Sequence, residues 1–264
     1  MKLDDLLMNN VSKNPLDYIV EDGGYCSIFD TIGCIGDSLS SGELEAIDKN
    51  GNHSWHDIFE YSWGQFIARD AGVKVYNFSR GGMSCKEYMQ SFAKEIDAFN
   101  QAKKCKAYII ALGVNDIYND NCKIKIGDID DLEKKEESMS RYYQEIILKY
   151  KEIQPNAKFF LVTMPRENFN EEAVKLKEAH RDILYKISEK FEKIYIIDLY
   201  KYGPLYDDEF KKKFYLNGHM NVMGYKLTAK MIESYIDYII KTNYKDFVQS
   251  GFIGMEQYDK DLDK

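Results

Sequence analysis

This 264-residue chain has little of several things, and each shortage narrows its class. It holds only four prolines and no stretch rich in proline, glycine or serine, so nothing marks a linker between domains. No apolar run approaches 18 residues and the mean hydropathy is -0.50, which excludes a spanning helix. Positive charge is in deficit. Thirty-six Lys and Arg stand against 44 Asp and Glu, a net charge of -8 that argues against nucleic acid or an anionic membrane surface as a partner. The five cysteines (Cys26, Cys34, Cys85, Cys105 and Cys122) are odd in number and form no C-x-x-C pair, which speaks for reduced thiols over a disulfide framework or a zinc site. The opening residues MKLDDLLMNN lack the basic start and apolar stretch of a secretory signal. The expectation is a cytoplasmic α/β protein, read as one domain over 1–264 with terminal extensions packed on it or trailing from it.

What is present is an alternation of strand-length apolar runs with stretches of helical period, the pattern of a parallel sheet with crossover helices. Five strands are predicted, over Thr31–Ile35, Val73–Phe78, Ala107–Leu112, Phe159–Thr163 and Ile194–Leu199. Met139, Tyr142, Tyr143, Ile146, Ile147 and Tyr150 form one helical stripe, and Leu176, Ala179, Ile183, Leu184 and Ile187 a second. A last helix is expected after Asn221, with Leu227, Met231, Tyr235 and Ile239 on one face. The charged segment Gly127–Glu137 reads as a solvated excursion.

Open parallel sheets bind ligands beyond the carboxyl ends of their strands, so the residues after each strand carry the chemistry. The first strand runs into Gly36-Asp37-Ser38-Leu39-Ser40, where Ser38 is either a helix cap or a hydroxyl facing a cleft. The motifs G-x-x-x-x-G-K-[ST] and G-x-G-x-x-G do not occur, and Ser40 replaces the last glycine that G-x-S-x-G requires. The second strand ends in Asn77-Phe78-Ser79-Arg80-Gly81-Gly82, a turn that lets a ligand approach the main chain. The third ends in Gly113-Val114-Asn115-Asp116, whose Asn115 is either a cap or an oxyanion donor. His219, in Leu216-Asn217-Gly218-His219, falls on the same rim, and histidine is the one side-chain type whose ordinary titration suits proton transfer near neutrality.

This ordered set resembles the SGNH hydrolase superfamily, the GDSL-type esterases and lipases, over most of the chain. The resemblance implies a three-layer α/β/α domain with a five-stranded parallel sheet in flavodoxin-like order. It implies Ser38 as nucleophile and His219 as base, with the N–H groups of Ser38 and Gly82 and the Asn115 carboxamide as oxyanion hole, and no metal or other cofactor. Asn77, five residues before Gly82, and Asn221-Val222-Met223-Gly224-Tyr225 after the histidine also fit. One departure stands out. The family pattern D-x-x-H places an aspartate three residues before the histidine, and Leu216 occupies that position. Asn217, a nearby backbone carbonyl, or a carboxylate from Asp207, Asp208 or Glu209 are the candidates to orient the ring instead.

The activity implied is acyl transfer to serine followed by hydrolysis of a small acyl ester, an acetylated carbohydrate being preferred. A lysophospholipase or thioesterase acting on longer chains, and a non-catalytic carbohydrate binder, are the alternatives, the latter because of Leu216. His53, Trp55, His56, Tyr118, Tyr202 and Tyr206 are expected on rim loops, with Trp55 and the three tyrosines able to stack on a sugar. His53 and His56 lack a third metal ligand of suitable type. His180 is expected at a satisfied boundary position on its helix. The only partner expected is a small-molecule ester, with no nucleic acid or membrane.

Overall fold

The β-branched and aromatic runs form the central sheet where their spacing predicts it. The computed structural model describes residues 13–167 and 170–247. Its strands are β1 (Thr31–Gly36), β2 (Glu43–Ile47), β3 (His53–Asp57), β4 (Lys74–Ser79), β5 (Ala107–Ala111), β6 (Lys158–Val162), β7 (Ile194–Ile197), β8 (Tyr215–Leu216) and β9 (His219–Met220). Five of them make one parallel sheet in the order β4-β1-β5-β6-β7, the flavodoxin-like arrangement. Parallel neighbours need long crossovers, which the helices supply. The ones used below are α1 (Ser38–Ser41), α2 (Trp63–Ala71), α3 (Val114–Tyr118), α4 (Met139–Ile153), α5 (Glu171–Lys190), α6 (Asp208–Phe214) and α7 (Val222–Thr242).

Alternation along β5 shows how the layers are held. Tyr108 and Ile110 face a core built with Tyr143, Ile147 and Tyr150 of α4 and Ile183, Leu184 and Ile187 of α5. Ala107 and Ile109 face the opposite core, with Ile67 of α2 and Ala229, Ile232 and Ile236 of α7. The central strands are therefore covered on both faces, as an all-parallel sheet requires. Side-chain caps set the helix starts. Ser138 accepts the Arg141 N–H at 3.2 Å before α4, and Asn221 accepts the Gly224 N–H at 2.9 Å before α7.

Three features differ from expectation. The buried line of α5 runs through Lys177, His180, Leu184 and Ile187, leaving Ala179 exposed, because the helix is rotated slightly from the stripe that the apolar residues alone suggest. His180 is accordingly a core residue. Its Nε2 lies 3.0 Å from the Leu112 carbonyl, its Nδ1 has no partner among the described residues, and burial pushes its pKa down to about 4. Two antiparallel hairpins, β2–β3 and β8–β9, were not expected at all.

The extensions are partly described. Val20 N donates to Ser234 Oγ at 3.0 Å, and the Phe247 ring lies 6.2 Å from that of Phe29. The outer parts, 1–12 and 248–264, fall outside the described residues. All five cysteines are free thiols. Among the described residues no helix is long and apolar enough to cross a membrane.

Candidate active site

β1 ends at Gly36, and Asp37 and Ser38 turn the chain into α1. The turn forms because Asp37 caps the helix, its Oδ1 accepting the Leu39 N–H at 3.0 Å. Gly36 is required there, since a Cβ would collide with the Ser40 side chain and lie 2.9 Å from the Ala111 carbonyl oxygen. Burial pushes the Asp37 carboxyl up to about 7, against the Leu39 hydrogen bond. Ser38 stands half-buried on the wall of a cleft of about 540 Å³.

The third block lines the same cleft, whereas Gly82 of the second block does not line it and is joined to it through the neighbouring Met83. Gly82 follows β4 in a left-handed conformation, φ 71°, that other residues adopt only with strain. Asn115, in the first turn of α3, lines the cleft and donates from Nδ2 to the Met83 carbonyl at 3.1 Å. That bond fastens the third block to the turn carrying Gly82 and leaves the second Nδ2 proton for a ligand. Below it, buried Asp116 accepts the Cys85 N–H at 3.0 Å, and burial pushes its carboxyl up to about 6. Asn77 lies within β4 and bonds the Ser79 N–H at 2.9 Å, away from the cleft.

His219 enters on β9. The two-residue turn Asn217-Gly218, with Asn217 at φ 58°, folds β8 onto β9 and sets the imidazole on the cleft wall. Both ring nitrogens face carboxylates from β2. Nε2 is 2.9 Å from Glu43 Oε1 and Nδ1 is 3.3 Å from Glu45 Oε2. Glu43, and not Ser38, is thus the partner of Nε2 in this arrangement. Burial raises the Glu43 carboxyl; the charge of His219 opposes the rise, and those of Asp57 and Glu45 add to it. The hydrogen bond from His53 holds Glu45 below the usual carboxylate range despite its burial, with His219 and the Gly218 N–H assisting.

None of the groups expected to orient His219 faces it. Asn217 Nδ2 donates to the Glu45 carbonyl at 3.0 Å. Asp207 caps α6 through the Phe210 N–H at 2.9 Å, Asp208 is exposed in the same first turn, and Glu209 pairs with Lys213 at 2.7 Å. The reason is local, because a helix starting here draws its own carboxylates to its N-terminus. Glu43 and Glu45 were missed. The signal that could have found them is Asn50-Gly51, a hairpin turn between Glu43-Leu44-Glu45 and His53-Ser54-Trp55, with Gly51 at φ 84°.

The rim residues divide. Tyr118 is 39% exposed and lines the cleft. His53, Trp55 and His56 stand exposed on β3 and do not line it, though His53 reaches Glu45. Tyr206 is buried, its ring stacked 3.9 Å from Phe210, and half-buried Tyr202 packs edge-on to Tyr235 at 6.1 Å. Neither is on the rim, because the apolar surface of α6 and α7 covers the rings. Among the described residues no three His, Cys, Asp or Glu side chains are grouped to hold a metal.

Over this arrangement of Ser38, Asn115 and His219, the sequence profile of the GDSL-like lipases and acylhydrolases matches residues 32–232. The chain belongs to that family. No curated protein matches it in sequence. Among solved structures it is similar to a family two carbohydrate esterase from Clostridium thermocellum in complex with cellohexaose (TM-score 0.59, 15% identity, covering 82% of this chain and 65% of that one). It is also similar to a family 2 carbohydrate esterase from Corynascus thermopiles (Myceliophthora fergusii) that carries a carbohydrate-binding domain (TM-score 0.57, 15% identity, 78% and 65%). A lipase/acylhydrolase from Enterococcus faecalis aligns over 78% of this chain and 95% of its own at 17% identity, with a TM-score of 0.50. At these identities the likeness is one of fold.

Proposed function

We propose that this family member is a serine esterase that works through an acyl-enzyme on a small acyl ester, with an acetylated carbohydrate as its substrate class. The observation that carries the reading is the convergence of Ser38, Asn115 and His219 on one cleft. Ser38 Oγ attacks the ester carbonyl carbon while His219 Nε2, once released from Glu43, takes the hydroxyl proton. The oxyanion is held by the N–H groups of Ser38 and Gly82 and by Asn115 Nδ2, each such donor contributing about 3 kcal/mol in the transition state. As the C–O bond breaks, His219 returns the proton to the leaving alcohol. Water then attacks the acyl-enzyme, with His219 as base, and releases the acid and free Ser38.

The short acyl group is supported by a recess of about 70 Å³ that shares Asp37, Leu39, Val114, Met164 and Pro165 with the main cleft and closes against Leu199 and Ile232. The sugar alcohol is favoured by Tyr118, whose ring lines the main cleft and can stack on a sugar, and it is in keeping with the carbohydrate esterases of the same fold. The test is hydrolysis of p-nitrophenyl acetate, butyrate and octanoate, and acetate release from acetylated oligosaccharides. Wild type should turn over the acetyl esters fastest, and Ser38→Ala should lose both turnover and fluorophosphonate labelling. Labelling at another serine, or preference for octanoate, would defeat the reading.

A further inference from the structure

The family places its histidine-orienting carboxylate three residues before the histidine, and here that position is Leu216, 46% exposed. A carboxylate nonetheless reaches the same side of the ring from the other end of the site. Glu45, on β2, has one oxygen 3.3 Å from His219 Nδ1 and 2.6 Å from the Gly218 N–H, and its other oxygen 2.6 Å from His53 Nδ1. Both oxygens therefore have protein donors, and the side chain is only 7% exposed. We propose that Glu45 orients His219 and stabilises its protonated form during attack, and that His53 positions Glu45, so that the β2–β3 hairpin supplies what the missing aspartate would have supplied.

The surroundings are shaped for this contact. Glycine at 218 leaves room for the carboxylate, since a Cβ there would sit 2.7 Å from Glu45 Oε2. Asn217 Nδ2 grips the Glu45 carbonyl at 3.0 Å, locking the histidine turn to β2. The hairpin is anchored to the other blocks as well. Asp57 bonds Ser41 Oγ beside the nucleophile and accepts the Gly81 N–H at 3.4 Å, and Tyr225 donates to the Glu43 carbonyl at 2.6 Å. His53 lies diagonally across the ladder from Glu45 on the same face, a spacing that long side chains bridge, and its ring stacks on Trp55 with 5.9 Å between centroids. The charged groups facing His219 are Glu43 and Glu45; those around Glu45 are His53, His219 and, as a like charge, Glu43, which itself feels Asp57. A proton held on Nδ1 by Glu45 leaves Nε2 as the atom that takes the Ser38 proton, the tautomer that the chemistry requires.

The proposal rests on the esterase reading, and its test separates the two. With p-nitrophenyl acetate, Glu45→Gln should lower kcat on the order of 10³-fold, since a neutral amide favours the wrong tautomer and cannot balance the imidazolium. Glu45→Asp should recover part of that loss. His53→Gln should cost about tenfold and displace the acid limb of the kcat/KM profile, which a purely structural role would not do. A far-downfield Nδ1 proton resonance from His219 should appear in wild type and vanish in Glu45→Gln. If a folded Glu45→Gln keeps kcat within threefold and the wild-type pH profile while Ser38→Ala is inactive, this inference falls and the esterase reading stands. Activity in Ser38→Ala takes both down. Should Glu45→Gln not fold, absence of the wild-type resonance together with an unchanged His53→Gln profile overturns the proposal.

Discussion

His219 Nε2 lies 2.9 Å from Glu43 Oε1, so the atom that accepts the Ser38 proton in the proposed mechanism is already engaged. Glu43 lies close against the Gly81 turn, where a Cβ would collide with Glu43 Oε2. It also lies opposite Asp57 in the β2–β3 ladder, a like-charge pairing that costs stability unless other bonds offset it.

Removing that charge should free the base. Glu43→Gln is expected to speed fluorophosphonate labelling of Ser38 by roughly threefold or more, because Nε2 no longer has an ion-pair partner to leave before it takes the hydroxyl proton. A loss of labelling by orders of magnitude would instead make Glu43 a participant in the reaction.

Asn115→Ala should lower kcat about 10²-fold or more with a smaller change in KM, because an oxyanion donor acts mainly in the transition state. Its bond to the Met83 carbonyl is lost as well, so melting must be compared with wild type. An unchanged kcat in a folded variant would reduce Asn115 to that tether.

Leu216 and His219 are direct partners across the β8–β9 ladder, so their side chains share a face. Leu216→Asp in the wild-type background should bring no gain in kcat, since Glu45 already occupies the Nδ1 side. Added to Glu45→Gln, the same change should restore at least tenfold of the lost kcat. Steady-state kinetics on the two single variants and the double variant decide it.

Met164 lines both the cleft and the recess and is nearly buried. Met164→Ala should widen the recess and raise kcat/KM for p-nitrophenyl butyrate relative to acetate by about tenfold. No change in the chain-length ratio would place the acyl group elsewhere.

Far from the site, Glu233 is buried in α7 with neither oxygen hydrogen-bonded among the described residues, although Lys230 Nζ is 3.2 Å from one of them. Burial pushes its carboxyl up to about 7, against the pull of Lys230. The folded protein therefore keeps a proton that the unfolded chain gives up near 4.5, so this residue's contribution to stability worsens between those pH values and is constant above them. Glu233→Gln should raise Tm by about 2–4 °C at pH 8 and leave it nearly unchanged at pH 4. An equal shift at both pH values would assign the effect to packing.

Local pattern determined the five parallel strands, the starts of the long helices and the four blocks at the strand ends, because each depends on periodicity, caps and turn chemistry within a few residues. Gly36-Asp37-Ser38-Leu39 places the serine whatever lies across the cleft. The partners of His219 are a different kind of quantity. Glu45 and His219 are 174 residues apart, and nothing in either segment states that β2 will fold across the β8–β9 turn. The nearer carboxylates Asp207, Asp208 and Glu209 looked closer in sequence, yet α6 turns them to its own N-terminus and to Lys213. Tyr206 and Tyr202 likewise read as rim aromatics until the packing of α6 and α7 took them inside. Long-range juxtaposition of side chains is decided by how whole elements pack, and a buried carboxylate goes where donors from several of those elements can satisfy it together.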